Sequence, residues 1–156
     1  RTNMYKFLLR LLIATCFIAS NPTFAKFENV NDKFEQSLQH CLINEDFKEE
    51  SLGCFNALLI DSFSFFNGEA ATNLSNQLTD ILKSWVADKD FYAIHPLLTE
   101  KRGSIVERRA YFIEDDSGGL VLLHVTFIKR LSEWSLNSVY LTTKKAEMEQ
   151  LLGFYF

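Results

Sequence analysis

Apolar positions recur in two rhythms along this chain, and the change of rhythm divides it. Phe27, Val30, Phe34, Leu38 and Cys41 are spaced 3, 4, 4 and 3 apart, which lines one face of a helix. Leu52, Phe55, Leu59 and Phe63 continue as a second helical stripe that Phe66 extends. Leu74, Leu78, Ile81 and Trp85 form a third, ending near Asp88. Asn44-Glu45-Asp46 separates the first two, and Asp46 with Glu49 has the form of a capping box. Asn67-Gly68 predicts the end of the second helix, because both residues tolerate a left-handed cap.

From Ser104 the rhythm becomes alternation. SIVERRAYFIE, LVLLHVTFIKR and WSLNSVYLTT predict three antiparallel strands, joined by DDSGG and LSE. In the first, Ile105, Glu107, Arg109, Tyr111 and Ile113 share one face, and Val106, Arg108, Ala110 and Phe112 the other. The second is apolar on both faces in its first half, as a central strand should be. In the third, Trp134, Leu136, Ser138 and Tyr140 alternate with Ser135, Asn137, Val139 and Leu141. Between Asp90 and Gly103 the pattern is irregular: Phe91, Tyr92 and Ile94 suit a short strand, and Pro96 forbids a central ladder position. Lys144 to Leu152 suits a final helix with Ala146, Met148 and Leu152 inward. The expected fold is α+β, with N-terminal helices packed on a curved antiparallel sheet built from a C-terminal three-strand meander.

The first 25 residues lie outside that scheme. Lys6 and Arg10 precede an apolar run from Leu11 to Ala19; Asn21-Pro22 breaks it, and Thr23-Phe24-Ala25 offers a cleavage site. That order predicts a signal peptide with a few upstream residues, cut after Ala25, and a single mature domain over 26–156 in the periplasm or outside the cell. Nine apolar residues are too few for a permanent span, which needs about 20. Ile13-Ala14-Thr15-Cys16 offers a second route, lipidation at Cys16, although Thr15 departs from the small residue that precedes such a cysteine.

Charge sharpens this picture. The chain of 156 residues carries a formal net charge of −4. Taking Arg1, Lys6 and Arg10 off the 16 basic residues leaves 13 against 20 acidic ones, a net −7. An acidic body argues against nucleic acid or an anionic membrane as partner. Within it Lys101, Arg102, Arg108 and Arg109 crowd into nine positions. They are either a charged strand edge protected from aggregation or a site for an anion or acidic partner. The 15 phenylalanines give one small domain ample core. Cys41 and Cys54 form an even pair in an oxidising compartment, so one disulfide is expected, provided that residues 44–50 let the two Cα atoms approach within about 7 Å.

The helices followed by a long meander ending in W-S-L-N-S-V-Y-L resemble the nuclear-transport-factor-two-like superfamily, cystatin-like α+β cones with a curved sheet wrapped round helices. The resemblance spans Phe27 to Thr143, and its specific part is Gly119–Leu141. It implies a pocket between the concave sheet face and the helices. Some members are isomerases or dehydratases, and many are non-catalytic binding or accessory domains. The acid–base residues of the enzymatic members have no counterpart here, so none is carried over.

Candidate chemistry is sparse. His124 shares a strand face with Leu122, Thr126 and Ile128, a setting more often of a hydrogen-bonded core group than of a catalyst. No G-x-S-x-G, H-E-x-x-H, C-x-x-C or EF-hand spacing occurs, so no hydrolase elbow, metal or cofactor is expected. The expected function is a non-catalytic exported domain that binds a protein partner or a small apolar ligand on the sheet's concave face, through Arg102, Arg108, Arg109, Tyr111, His124, Trp134 and Tyr140. One alternative is an isomerase- or dehydratase-like pocket with His124 and Glu107 as catalytic pair; another is an inhibitor, for example of a toxin, acting through its acidic exterior. The aromatic end Leu152–Phe156 predicts a packed or self-associating tail, and with it a possible homodimer.

Overall fold

The computed structural model describes residues 30–44, 48–63 and 68–155. The leader, its Cys16, Phe27, Asp46, Phe66, Asn67 and Phe156 lie outside the described residues. Helix α1 (Val30–Gln39) runs into a π-helical turn (His40–Asn44), followed by α2 (Lys48–Ser62) and α3 (Gly68–Val86). Strands β1 (Phe91–Arg102), β2 (Val106–Asp115), β3 (Leu120–Arg130) and β4 (Glu133–Thr142) then form an antiparallel sheet in sequence order, and α4 (Lys145–Leu152) closes the chain.

The α+β class is as expected, with four strands in place of three. The irregular stretch after Asp90 is a full strand of 12 residues. Pro96 fits because β1 is an edge: its missing N–H costs no ladder bond if it faces outward. The pairing slips between Phe91 and Ala93 and again beside Pro96.

The helices cover one face of the sheet. The first two stripes are buried as expected, with Phe34, Leu38, Cys41, Leu52, Phe55, Leu59 and Phe63 all at 5% exposure or less. They meet Tyr111, Ile113, Val121, Leu123, Val125, Phe127 and Leu136 from the sheet. Of the third stripe, Leu74, Leu78 and Trp85 pack against the core as expected. Ala71, Ser75, Leu78, Leu82 and Val86 point inward, whereas Ile81 is 51% exposed. The inward face of α3 has small residues where it approaches α2, and the Ser75 hydroxyl donates to the Asn56 carbonyl at 2.7 Å. Gly68 begins α3 and does not cap α2, which ends at Ser62.

Strand β4 departs from strict alternation. Thr126 pairs with Ser138 but Phe127 with Leu136, so Asn137 is an extra residue. This bulge reverses the phase. Trp134 and Leu136 therefore join Val139 and Leu141 against the helices. Trp134, Leu136, Val139 and Leu141 of WSLNSVYL thus reach one core, which alternation alone forbids, while Tyr140 is 45% exposed.

The opposite face carries a smaller core of Ala110, Phe112, Leu122, Leu97 and Leu98 under Met148 and Leu152 of α4. Ala146 is exposed. At the start of α4, Glu147 accepts hydrogen bonds from Lys144, Thr142 and Tyr140. That from Lys144 leads in drawing its carboxyl down to about 2. Gly153, at φ 75°, ends the helix as a left-handed cap. Beyond it Phe154 and Tyr155 are 49% and 90% exposed.

Cys41 and Cys54 are bonded, joining the π-helical turn to α2 with Cα atoms 5.2 Å apart. Closing a loop of this length stabilises by about 3 kcal/mol in the chain-entropy model.

The DDSGG hairpin is organised by Asp115. Its carboxylate accepts from the Ser117 hydroxyl and N–H and the Gly119 N–H at 2.6, 2.9 and 2.8 Å, and from Lys89 at 3.0 Å. The Ser117 hydroxyl leads in holding this carboxyl well below its usual range, against the opposing effect of burial. A Cβ on Gly119 would land on that carboxylate, 3.0 Å from its Cγ. Gly119→Ala should therefore lower stability by about 1–3 kcal/mol in urea unfolding.

Candidate functional site

The sheet separates the residues that the sequence proposed. Along β2, odd-numbered side chains face the helices and even-numbered ones face away, and β3 follows the same parity. Glu107, Arg109 and Tyr111 accordingly lie on the helix side, and Arg108 and His124 on the other. Glu107 is paired with Phe127, and His124 with Ala110. The catalytic pair His124–Glu107 is thus split across the sheet, and no single pocket can hold both.

On the helix side Arg109 is spent internally. Its side chain is 5% exposed. Nε donates to Glu107 at 2.6 Å, Nη1 to Glu35 at 3.0 Å and Nη2 to Asp32 at 2.6 Å. The Tyr111 hydroxyl donates to Glu35 at 3.2 Å. Lys101 approaches Glu107 to 3.6 Å from the neighbouring strand. Burial pushes the fully buried Glu107 carboxyl up, but hydrogen bonds from Arg109 and Asn31 and the charges of Arg109 and Lys101 outweigh it and hold it below its ordinary value. Burial raises the Tyr111 hydroxyl far above the usual phenol range. A guanidinium held by three carboxylates is no receptor for another anion. Arg109 and Tyr111 fasten α1 to the sheet. The sequence did carry a signal for this cluster: Glu107 and Arg109 interrupt the apolar face of Tyr111 and Ile113, and buried charges need partners.

Among the described residues, Phe34, Leu38, Phe55, Leu59 and Phe127 pack together on the helix-facing side of the sheet. Open clefts lie along β4. One, of about 450 Å³, is lined by Phe34, Leu58, Phe127, Trp134 and Leu136 with Lys33 and Asp61. Another, of about 600 Å³, lies between α3 and the end of β4 and includes Ile81, Trp85, Tyr140 and Leu141. Trp134 and Tyr140 are thus in different clefts.

The remaining candidates meet on the outer face. Glu100, Arg108, Thr126 and Ser138 form one cross-strand row, and Leu98, Ala110, His124 and Tyr140 the next. Arg108 donates to Glu100 at 3.2 Å, and Arg102 donates to the other oxygen of the same carboxylate at 2.9 Å. Hydrogen bonds from Arg102 and the charges of both arginines lower the Glu100 carboxyl against desolvation. The Nη2 of Arg108 lies 3.3 Å from His124 Nε2. Arginine can only donate, so Nε2 is the acceptor and the imidazole proton sits on Nδ1. Burial, and then the Arg108 charge, lower the His124 pKa and keep the ring neutral. His124 is 6% exposed, but the Arg108 side chain is 27% and that of Arg102 66% exposed. This surface lies beside α4, whose apolar contacts are with Ala110, Leu122 and Phe112. It can present two fixed guanidiniums, a neutral imidazole and the hydroxyls of Thr126, Ser138 and Tyr140.

Among the described residues no cluster of His, Cys, Asp and Glu is arranged to hold a metal ion, and no helix is long and apolar enough to cross a membrane. The chain matches no protein-family model, no curated protein and no solved structure.

Proposed function

We propose that this protein is a non-catalytic binding domain, exported to an oxidising compartment, that takes a protein partner with an acidic segment on the outer face of its sheet. The observation that carries this reading is the Arg102–Arg108 pair, held by one carboxylate and backed by neutral His124, on a partly exposed sheet surface. Preorganised guanidiniums suit bidentate recognition of carboxylates. The filled helix side favours a surface partner over an enclosed substrate, since small-molecule sites bury most of their ligand. The Cys41–Cys54 bond and the leader pattern support export.

The test uses a cross-linker attached at exposed Ser138 (Ser138→Cys) in the native extract, with products identified by mass spectrometry. The expected result is one defined acidic partner, with capture reduced about tenfold or more by Arg108→Glu. Equal capture by the Arg108→Glu protein, with its folding intact, overturns the reading.

A small apolar ligand is a second reading, favoured by the cleft at Trp134 with its Phe34, Leu58 and Phe127 walls. Quenching or a shift of tryptophan fluorescence by such a ligand, abolished by Trp134→Ala, distinguishes it from the first.

A further inference from the structure

Two hairpin tips lie side by side at one end of the sheet. Leu131-Ser132 joins β3 to β4 between the paired Arg130 and Glu133. Gly103-Ser104-Ile105 joins β1 to β2 between the paired Arg102 and Val106. The Lys129 N–H donates to the Ile105 carbonyl at 2.8 Å and ties one tip to the other. Turns this tight need a left-handed residue, which glycine supplies at least cost. Gly103 meets that need at φ 61°. Leu131 meets it at φ 58° without that freedom, and its side chain is fully exposed. Ile105 beside it is 56% exposed. Among the described residues the other non-glycine with positive φ is Ala87, just past the end of α3, where left-handed caps are ordinary. Leucine at position 131 is thus favoured neither by its backbone nor by packing. Residues held in this way gather where the side chain has a function.

Cations ring the two tips on both sides of the sheet. Lys101 and Lys129 pair with Glu107 and Trp134 and so lie on the helix side. Arg102 and Arg130 pair with Val106 and Glu133 and lie on the outer side. The side chains of Lys101 and Arg102 are 61% and 66% exposed, and Arg130 is exposed as well. Acidic neighbours stand behind them: Glu100 is held by Arg102 and Arg108, Glu107 by Arg109, and Asp61 shares a cleft with Lys33. Within 101–105 and 129–133 themselves, four cations face the single acid Glu133. The opposite end of the sheet has the reverse sign, with Asp88, Asp90, Glu114, Asp115, Asp116 and Glu147. The sheet is therefore polarised from end to end, and its basic end carries the exposed aliphatic tips.

We propose that this end of the sheet docks on a membrane surface that carries anionic phospholipid. Leu131 and Ile105 enter the interfacial layer, and Lys101, Arg102, Lys129 and Arg130 reach the phosphates around them. Shape selects lipid over a protein partner. A stable protein interface buries about 1,200 Å² or more in total, which two separate aliphatic tips do not offer. A lipid interface closes round any apolar protrusion, and anionic headgroups add their attraction for the basic collar. Long basic side chains lay their stems beside the tips and carry their charges to the headgroups. The chain's net charge of −4 does not oppose this contact. Charges are screened beyond about 8 Å at physiological ionic strength, and the acidic end lies about 30 Å away along the 11 residues of β3. The inference stands apart from the acidic-partner reading: Arg102 enters both, but Leu131 and Ile105 enter only this one.

The test is co-sedimentation of the exported protein with vesicles of phosphatidylcholine containing phosphatidylglycerol, beside vesicles of phosphatidylcholine alone. Parent and variants are compared in the same processed form, so that any leader left on the chain contributes equally. The parent should bind the anionic vesicles at least about tenfold more tightly than the neutral ones. Leu131→Gly should unfold at an equal or higher urea concentration, because glycine relieves the turn. Its affinity for the anionic vesicles should nevertheless fall about tenfold. Leu131→Asn, which also tolerates the left-handed backbone, should bind as weakly and serves if the glycine loosens the hairpin. Lys129→Glu/Arg130→Glu should reduce binding about tenfold or more. A parent protein that ignores the anionic vesicles, or binds both kinds equally, overturns the proposal. So does a folded Leu131→Gly or Lys129→Glu/Arg130→Glu protein that binds as the parent does.

Discussion

Arg109→Met should destabilise the protein by about 3–5 kcal/mol in urea unfolding with the disulfide intact. The figure is that of a buried pair deprived of one partner, which leaves Glu107 without its closest hydrogen-bonded cation and with only Lys101, at 3.6 Å, as counter-ion. Most of the loss falls on Glu107, which is fully buried and accepts the Arg109 Nε–H hydrogen bond at 2.6 Å. Asp32 and Glu35 contribute less, because their side chains are 48% and 35% exposed and water can resolvate them. Arg109→Lys should recover only part, since one ammonium cannot reach three carboxylates in the fork geometry.

The pH dependence separates this explanation from simple loss of packing. In the parent protein the Glu107 pKa in the fold lies below its unfolded value of about 4.3. Its contribution is therefore complete above about pH 4.3 and is lost as pH falls through the folded pKa. Without Arg109 the buried carboxyl prefers its proton, so the variant should gain stability as pH falls from about 7 toward 4. A variant that loses less than about 1 kcal/mol, or that shows the parent's pH slope, would show that the cluster does not hold α1.

Phe127→Ala should cost about 3–5 kcal/mol by the same measurement. The ring is 2% exposed and meets Phe34 of α1 edge-on, with centroids 5.3 Å apart at 76°. A double-mutant cycle with Phe34→Leu should give a coupling of about 0.5–1.5 kcal/mol, the range for such aromatic pairs. Phe127 is also the cross-strand neighbour of Glu107. Its removal brings water closer to the buried carboxylate, so Phe127→Ala and Arg109→Met should not be additive. Strict additivity would mean that the apolar and ionic attachments of α1 are independent.

Both results bear on function through the same geometry. With α1 and its neighbours filling the helix side, the outer face, the β4 edge and the marginal clefts are left for partners.

Local pattern determined much of this protein. Periodicity placed Phe34, Leu38, Phe55 and Leu59 on buried helical faces and Tyr111 and Ile113 on a buried strand face, because amphipathic rhythm is written in consecutive residues. The Asp115–Gly119 hairpin was equally legible, since glycine and aspartate act on the backbone beside them. Cys41 and Cys54 were legible as a pair, their bond only as an expectation. Tertiary structure alone decided the rest. Strand β1 was obscured because a proline tolerable only at an edge cannot be read before the edge is known. The phase of β4 depended on a bulge that β3 imposes. Arg108 and Arg109 are adjacent and chemically identical, yet one reaches the partly open outer face and the other is consumed by Asp32, Glu35 and Glu107. That difference follows from which side of the sheet α1 covers, and carboxylates more than 70 positions away in the chain settle it.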